Sequence, residues 1–252
     1  MIDVRNLDVR VAGQGRTLLR GLNLSLAAGQ IMAVLGPNGR GKTTLLRTLL
    51  GLLPAGAGQV QLGGHAAYVP QQGESMFPYP VLSMVAMGRA RHLRWWQSPG
   101  KADMRVAEAC LEAVGLASMA QCSFHELSGG QKQLVHIARA MASASPIIVL
   151  DEPMAALDLR NQDLVLGILA RLAREQQLCI VFSTHSPQHA LHIADQTLLL
   201  YPDSCEAGPT ALMCGPERLG RVYQMPVALG QAQDAAGRLV LGVIPLFQGA
   251  EA

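Results

Sequence analysis

The chain has 252 residues, half of them hydrophobic and only 15% charged, and its net charge at pH 7 is +2. These values predict one globular domain with a substantial core, and they argue against a disordered chain or a nucleic-acid surface held by bulk charge. No apolar run approaches the roughly 18 to 20 residues that cross a bilayer, and residues 1–5 lack the layout of a signal peptide. The five cysteines form no CxxC pair, which favours reduced thiols.

The first third of the chain predicts strands followed by a helix. Residues 2–11 and Thr17–Leu26 have strand character and are separated by a glycine-containing turn. Ile31–Leu35 is a continuous apolar run, as expected of a parallel strand that is buried on both faces. A glycine-rich stretch follows, and residues 43–53 then have helical periodicity.

The remaining chain alternates between helical and strand patterns. Residues 73–100 are irregular, whereas 101–117 and 131–144 predict helices. Ile147–Leu150 and 179–182 predict buried strands, each followed by a polar turn and a helix. Such alternation predicts a mostly parallel sheet with crossover helices. Further predicted elements are a strand at 198–201, a helix at Pro216–Tyr223 and a hairpin around Ala235, Ala236 and Gly237.

Residues 36–43 match the pattern G-x-x-x-x-G-K-[ST] without a gap, between a buried strand and a helix. Glycines let backbone N–H groups curl around one anion, and the helix N-terminus adds its positive dipole end. Lys42 would supply charge to the β- and γ-phosphates, and the Thr43 hydroxyl would be a Mg²⁺ ligand. The alternative is a chance glycine-rich turn, which the Lys-Thr pair argues against. The predicted ATP-binding residues are Gly36, Pro37, Asn38, Gly39, Arg40, Gly41, Lys42, Thr43 and Thr44.

Two carboxylates, Asp151 and Glu152, end the apolar strand Ile147–Leu150. Ligands gather at the carboxyl ends of strands in parallel sheets, beside the predicted phosphate loop. Asp151 would hold Mg²⁺ through water, and Glu152 would orient and deprotonate the attacking water as a general base. Acidic residues at a strand end often mark only the entry into solvent, so this prediction depends on the neighbouring phosphate loop.

The segment Leu127-Ser128-Gly129-Gly130-Gln131 resembles the signature motif of ABC (ATP-binding cassette) ATPases. Ser128 can cap the following helix, which leaves the Gly129 and Gly130 N–H groups for an anion. A plain Ser-Gly-Gly loop is the alternative, and the position between the phosphate loop and the acidic strand argues against it. The resemblance implies a head-to-tail homodimer, in which these five residues contact the ATP held by the partner subunit.

Three further positions fit the same resemblance. Gln71 matches the Q-loop glutamine, which contacts Mg²⁺ or the attacking water and senses the membrane partner. Asp158 matches the D-loop aspartate at the dimer seam, and His185 matches the switch histidine that reaches the γ-phosphate. The resemblance therefore implies catalytic roles for Glu152, His185 and Gln71, and Mg²⁺ ligation by Thr43, Gln71 and Asp151.

A metal cluster formed by His185, His189 and His192 is a competing interpretation of that region. Ser186 and Pro187 predict a helix start, with Ser186 as the N-cap and proline at the first helical position. His185 then lies outside the helix and does not share a face with the other two histidines. We therefore favour ordinary helix positions for His189 and His192.

Two departures from the family pattern concern the nucleotide itself. Val11 stands where an aromatic residue commonly stacks on adenine, and Arg10 or Arg16 is a possible replacement. Arg40 replaces a small residue in the phosphate loop, and its guanidinium either contacts phosphate or points to solvent. These departures bear on nucleotide affinity and base selectivity.

The resemblance implies an α/β fold, the P-loop NTPase ABC cassette. Such a cassette has a RecA-like, mostly parallel sheet core, an antiparallel β subdomain and an inserted helical signature subdomain, here at about 73–144. We predict an ATP-binding domain at 1–205 and a short C-terminal extension of the same unit at 206–252. This extension would add dimer contacts or cover a sheet edge.

One cassette without membrane spans favours a separate importer subunit. Residues 77–89 and 157–163 resemble importers of iron–siderophore, haem, cobalamin and molybdate or tungstate. The resemblance implies Mg²⁺-dependent ATP hydrolysis at the cytoplasmic face of the inner membrane, where the subunit is peripheral. It implies a second copy, two transmembrane permease subunits and, indirectly, a substrate-binding protein, with no nucleic acid. The alternatives are a non-transport ATP-gated clamp and a nucleotide-binding module without turnover.

Overall fold

The computed structural model describes residues 1–10, 17–71, 77–233 and 237–247. Val11 and Arg16, which bear on the adenine position, lie outside this description, as do Ala235 and Ala236 of the predicted hairpin turn. The strands are β1 (Ile2–Arg10), β2 (Thr17–Leu26), β3 (Ile31–Leu35), β4 (Ala57–Leu62), β5 (Ala66–Val69), β6 (Ile147–Leu150), β7 (Cys179–Thr184), β8 (Gln196–Leu200), β9 (Cys205–Pro209), β10 (Val227–Gln233) and β11 (Leu239–Pro245).

Eight α-helices connect and cover these strands within the described residues. Not one of them is long and apolar enough to cross a membrane. The helices are α1 (Lys42–Leu49), α2 (Val81–Ala86), α3 (Lys101–Ala113), α4 (Gly129–Ala142), α5 (Leu159–Gln176), α6 (Pro187–Ile193), α7 (Thr210–Met213) and α8 (Pro216–Tyr223).

A six-stranded sheet with the order β5-β6-β7-β3-β8-β9 forms the centre of the fold. Its first five strands run parallel, and β9 pairs antiparallel with β8, across the predicted domain boundary at residue 205. The predicted parallel sheet is therefore confirmed. Because the strands are parallel, their carboxyl ends lie at one edge, where the loops after β3, β6 and β7 meet.

The central strands are buried on both faces, which explains their uninterrupted apolar sequences. Met32 and Val34 of β3 pack in a core shared with α1 and the antiparallel sheet β2-β1-β4. Ile31, Ala33 and Leu35 pack in a second core, on the side of α2 to α6. The two layers hold β3 and the loop after it in a fixed position.

Two predicted helices end earlier than expected because glycine follows them. The C-cap of α1 is Leu50, and the next residue, Gly51, has a φ of 69°. Helix α3 likewise ends before Gly115, whose φ is 76°. The prediction of an irregular 73–100 was wrong in part, because this segment contains α2 and a 3₁₀ turn at Met87–His92.

The C-terminal segment contacts α6 through its hairpin. Strands β10 and β11 pair antiparallel from Val227↔Pro245 to Gln233↔Leu239, which confirms the hairpin. Gln188 on α6 donates a hydrogen bond to the Leu241 carbonyl at 2.9 Å and accepts one from the Val243 N–H at 3.4 Å. The hairpin therefore contacts α6 at Gln188, three residues after His185.

Candidate nucleotide-binding and hydrolysis site

The loop between β3 and α1 contains the residues of the predicted phosphate loop, 36–43, and is called the cradle below. Gly39 and Gly41 have φ angles of 78° and 85°, in the left-handed region that glycine adopts without strain. A Cβ added to Gly41 would lie 2.7 Å from Leu18 Cδ1, so the leucine side chain would have to move to admit it. The backbone therefore turns inward directly before the N-terminus of α1.

Lys42, the first residue of α1, has a buried side chain that is fully engaged. Its ammonium donates hydrogen bonds to the carbonyls of Gly36 at 2.8 Å and Pro37 at 3.1 Å. It also forms an ion pair with Glu152 Oε1 at 2.8 Å. A buried charge needs such compensation, so the carboxylate neutralises Lys42 inside the cradle.

Glu152 lies between two cationic or titratable groups. Besides its contact with Lys42, its Oε2 lies 3.5 Å from Nδ1 of His185. Its φ of 45° is uncommon for a residue other than glycine and marks local backbone strain. The backbone N–H of Glu152 donates to Ser183 Oγ at 2.8 Å, which fixes this conformation and directs the carboxylate into the cradle.

Asp151 is almost fully buried at the end of β6, and two side chains hold its carboxylate. Ser183 Oγ donates to Oδ1 at 2.7 Å, and the Tyr68 hydroxyl donates to Oδ2 at 3.3 Å. Burial raises the pKa of Tyr68, so its hydroxyl stays protonated and can donate. Sequence reasoning missed both partners, although their strands, β7 and β5, flank β6 in the sheet.

One open cavity brings several of the predicted residues together. Arg40 is half-buried, and it is not among the described residues that line this cavity. The signature segment is not among those described residues either. The residues that line the cavity are Asn38, Gly39, Gly41, Lys42, Thr43, Thr44, Gln71 and Glu152.

The signature segment packs against the D-loop of its own chain. Ser128 Oγ accepts a hydrogen bond from the Gln131 N–H at 3.3 Å, and Gln131 Oε1 accepts one from the Ser128 N–H at 2.9 Å. Ser128 thus caps α4 as the sequence predicts, and Gln131 completes a capping box. A Cβ on Gly130 would lie 2.7 Å from Asn161 Cγ, because the first turns of α4 and α5 are in close contact.

Asp158 caps helix α5 and is exposed. Its Oδ1 accepts a hydrogen bond from the Asn161 N–H at 2.8 Å, which fixes the turn before the helix. The next residue, Leu159, is an apolar side chain with 83% of its surface exposed. One carboxylate and one apolar side chain are therefore exposed on the surface of the subunit at the D-loop.

The turn after β7 places His185 beside Glu152. Ser186 occupies the N-cap position of α6 as predicted, but its side chain makes no cap bond. Instead, its N–H donates to Thr184 Oγ1 at 3.0 Å, and the Tyr223 hydroxyl of α8 donates to the His185 carbonyl at 2.7 Å. Neighbouring elements thus hold the backbone of this turn on both sides of the histidine.

Comparisons with known proteins match this geometry. A family model described as "ABC transporter" matches residues 19–155, which is more than half of the chain. The chain belongs to the ABC transporter ATP-binding family. It is 43% identical over 216 residues to the molybdate import ATP-binding protein MolC of Haemophilus influenzae, covering 86% of this chain and 85% of the relative.

Two solved structures support the family and the fold. One, described as a metal-chelate type ABC transporter in an inward-facing conformation, has a TM-score of 0.94 and 39% identity, covering 98% of each chain. The other is a bacterial ABC transporter cassette solved as a dimer, with a TM-score of 0.72 and 25% identity, covering 83% of this chain and 99% of that one. The resemblance and the cassette fold are confirmed, and the chain is an ABC-type ATPase.

Proposed function

We propose that this ATPase powers an importer, with Glu152 as the general base and His185 as the γ-phosphate sensor. The observation that carries the proposal is the meeting of Lys42, Glu152 and His185 at the mouth of the cradle. Glu152 lies 2.8 Å from the lysine and 3.5 Å from the histidine. A γ-phosphate bound to Lys42 would take the place of the carboxylate, which would then face a water molecule beside that phosphate.

The residues around the cradle fit a magnesium ion. Mg²⁺ prefers oxygen ligands and keeps several waters, often with substrate phosphates as further ligands. Thr43 and Gln71 line the cavity, and Asp151 lies buried directly behind Glu152 with both carboxylate oxygens hydrogen-bonded. Thr43 and Gln71 would bind the ion directly, and Asp151 would hold it through water. The bound ion would supply charge neutralisation for the transferred phosphoryl group.

A second copy would complete each ATP site. The N–H groups at the start of α4 stay available for an anion because Ser128 caps the helix. The signature packs on its own D-loop and not on its own cradle cavity. A head-to-tail homodimer would place it over the partner's nucleotide, with Asp158 at the seam. A similar cassette was solved as a dimer, which supports the presence of a second copy.

The names of two similar proteins support a proposal for the cargo class. MolC is named for molybdate import, and the inward-facing structure is described as metal-chelate type. We infer import of an oxyanion or a metal chelate by two such subunits bound to two permease subunits at the cytoplasmic face of the membrane. Residues 71–89 would receive the permease, the segment 73–144 would move as the helical subdomain, and residues 206–252 would form the extension.

To test this proposal, the subunit is reconstituted with its permease in vesicles, and ATP hydrolysis and uptake are compared between wild type and Glu152→Gln. The amide keeps the size of the side chain but cannot accept a proton, so kcat should fall by at least about 100-fold. ATP binding should persist, and uptake of molybdate or of a ferric chelate should stop together with turnover.

The matched control is Glu175→Gln, an exposed position near the end of α5. It should leave turnover and uptake unchanged. Equal ATPase rates for wild type and Glu152→Gln would contradict the general-base assignment. ATP turnover that never drives uptake would favour the non-transport clamp.

A further inference from the structure

Two hydrogen-bonding side chains outside the catalytic set connect the D-loop to the turn of His185. His189 on α6 is buried, and its Nδ1 lies 2.9 Å from Thr184 Oγ1. Its Nε2 lies 3.1 Å from Oε1 of Gln162 on α5. Gln162 Nε2 donates in turn to the Leu157 carbonyl at 2.9 Å, immediately before Asp158.

The donor and the acceptor of each hydrogen bond in this series follow from the groups at its two ends. Because Gln162 Nε2 donates to the Leu157 carbonyl, its Oε1 faces His189 and accepts from Nε2–H. The Nδ1 atom then accepts from the Thr184 hydroxyl, whose oxygen accepts from the Ser186 N–H. The arrangement requires one tautomer of a neutral imidazole.

The protonation state agrees with that requirement. Burial, aided by the nearby His185 and His192, lowers the pKa of His189 to about 4. The ring is therefore neutral at the pH of the cytoplasm or of any ordinary assay. Each of its nitrogens has a partner, so the ring acts as a rigid link between two turns.

We propose that Gln162 and His189 are positioning residues that couple the D-loop to the switch histidine. A partner subunit that contacts the exposed Asp158 and Leu159 would shift the Leu157 carbonyl. The hydrogen-bonded pair Gln162–His189, called the bridge below, would transmit this shift to Thr184 and His185. Dimer closure would then place His185 on the γ-phosphate. The inference rests on the proposed function, which assigns His185 to the γ-phosphate and Asp158 to the seam.

The bridge is broken from opposite ends by Gln162→Met and His189→Asn. Methionine keeps the length of glutamine without its hydrogen bonds, and asparagine keeps an acceptor toward Thr184 but does not reach Gln162. Each variant should lower kcat about tenfold, because a misplaced catalytic group costs rate while ATP binding is retained. The KM for ATP should change by less than about twofold, and the double variant should be no slower than either single one.

Gln176→Met is the matched control, on an exposed position of the same helix, and His185→Ala tests the route of the effect. Adding Gln162→Met to His185→Ala should cause no further loss, since the bridge acts through that histidine. A full additional tenfold loss, or single variants as fast as Gln176→Met, would overturn the proposal. Wild-type turnover of His185→Ala would instead refute the role of the histidine and the inference with it.

Discussion

A single hydroxyl, on Ser183, serves both acidic residues of the site. It donates to Asp151 Oδ1 and accepts from the backbone N–H of Glu152, at 2.7 and 2.8 Å. Both acidic residues are therefore oriented by a side chain on the neighbouring strand, β7. On the proposed mechanism, Ser183 acts through the two acidic residues that it orients.

We expect Ser183→Ala to lower turnover at least about tenfold and also to lower the stability of the fold. The change leaves the Asp151 carboxylate and the Glu152 N–H each without one buried partner, which costs about 1–3 kcal/mol per group. Steady-state ATPase assays over a range of Mg²⁺ concentrations, together with thermal unfolding, measure the two effects. Ser118→Ala, at an exposed position, is the control. Wild-type turnover in Ser183→Ala would show that the hydroxyl does not orient the acidic pair.

The sequence predicts the residues of the site better than the contacts among them. The phosphate loop, the acidic pair and the capping box are local in sequence, so spacing alone locates Lys42, Glu152 and Ser128. Ser183 and Tyr68 reach Asp151 from two strands that flank β6, and only the strand order makes them neighbours. The bridge between Gln162 and His189 likewise depends on how two helices pack, which no local pattern contains.

At the scale of elements, helix α8 supports the turn of His185. Pro216–Tyr223 was predicted as a helix and is one. Its last residue, Tyr223, reaches the His185 carbonyl, while Gln188 of α6 fastens the hairpin β10–β11. The C-terminal segment therefore does more than cover an edge of the sheet, because it contacts the backbone of a predicted catalytic residue.

Tyr223→Phe should slow turnover about two- to tenfold without changing the KM for ATP. The variant removes one hydrogen bond with a net value of about 0.5–1.5 kcal/mol and keeps the packing of the ring. ATPase assays on the isolated subunit would measure the effect, with the exposed Tyr79→Phe as the control. An unchanged kcat would mean that other contacts of the turn suffice to hold His185.

Errors of prediction at the element scale have a common physical cause. Residues 73–100 lack a clear helical period because α2 spans only six residues, and five of them are buried. A short helix that is apolar on nearly every side shows no amphipathic pattern. Helices α1 and α3 were predicted too long because apolar residues continue past them, whereas glycines at 51 and 115 end the helical backbone.

At the scale of the whole molecule, the cradle and the signature segment lie apart within one subunit. The cradle cavity and the signature segment do not share a wall among the described residues. The exposed Asp158 and Leu159 follow both in sequence, and Asn161, just after them, lies against Gly130 of the signature segment. The unit that hydrolyses ATP is therefore proposed to be the dimer.

We expect turnover per subunit to rise with protein concentration for the isolated protein. On the proposed arrangement the two half-sites meet only in the dimer, so the fraction of dimer would set the rate by mass action. ATPase rates and light scattering, measured on the same samples across about a hundredfold dilution, would test this. Monomers that hydrolyse ATP as fast as dimers would contradict the shared-site arrangement.

The ion pair between Lys42 and Glu152 also has a consequence for the end of each cycle. On the proposed mechanism, a phosphate oxygen would need the position beside Lys42 that the Glu152 carboxylate holds in this structure. On the proposed mechanism, every incoming nucleotide competes with this built-in anion, and after hydrolysis the same anion helps to expel inorganic phosphate. Glu152 would thus act twice, first on the attacking water and later by competing with inorganic phosphate for Lys42, which favours release of the phosphate before the next ATP binds.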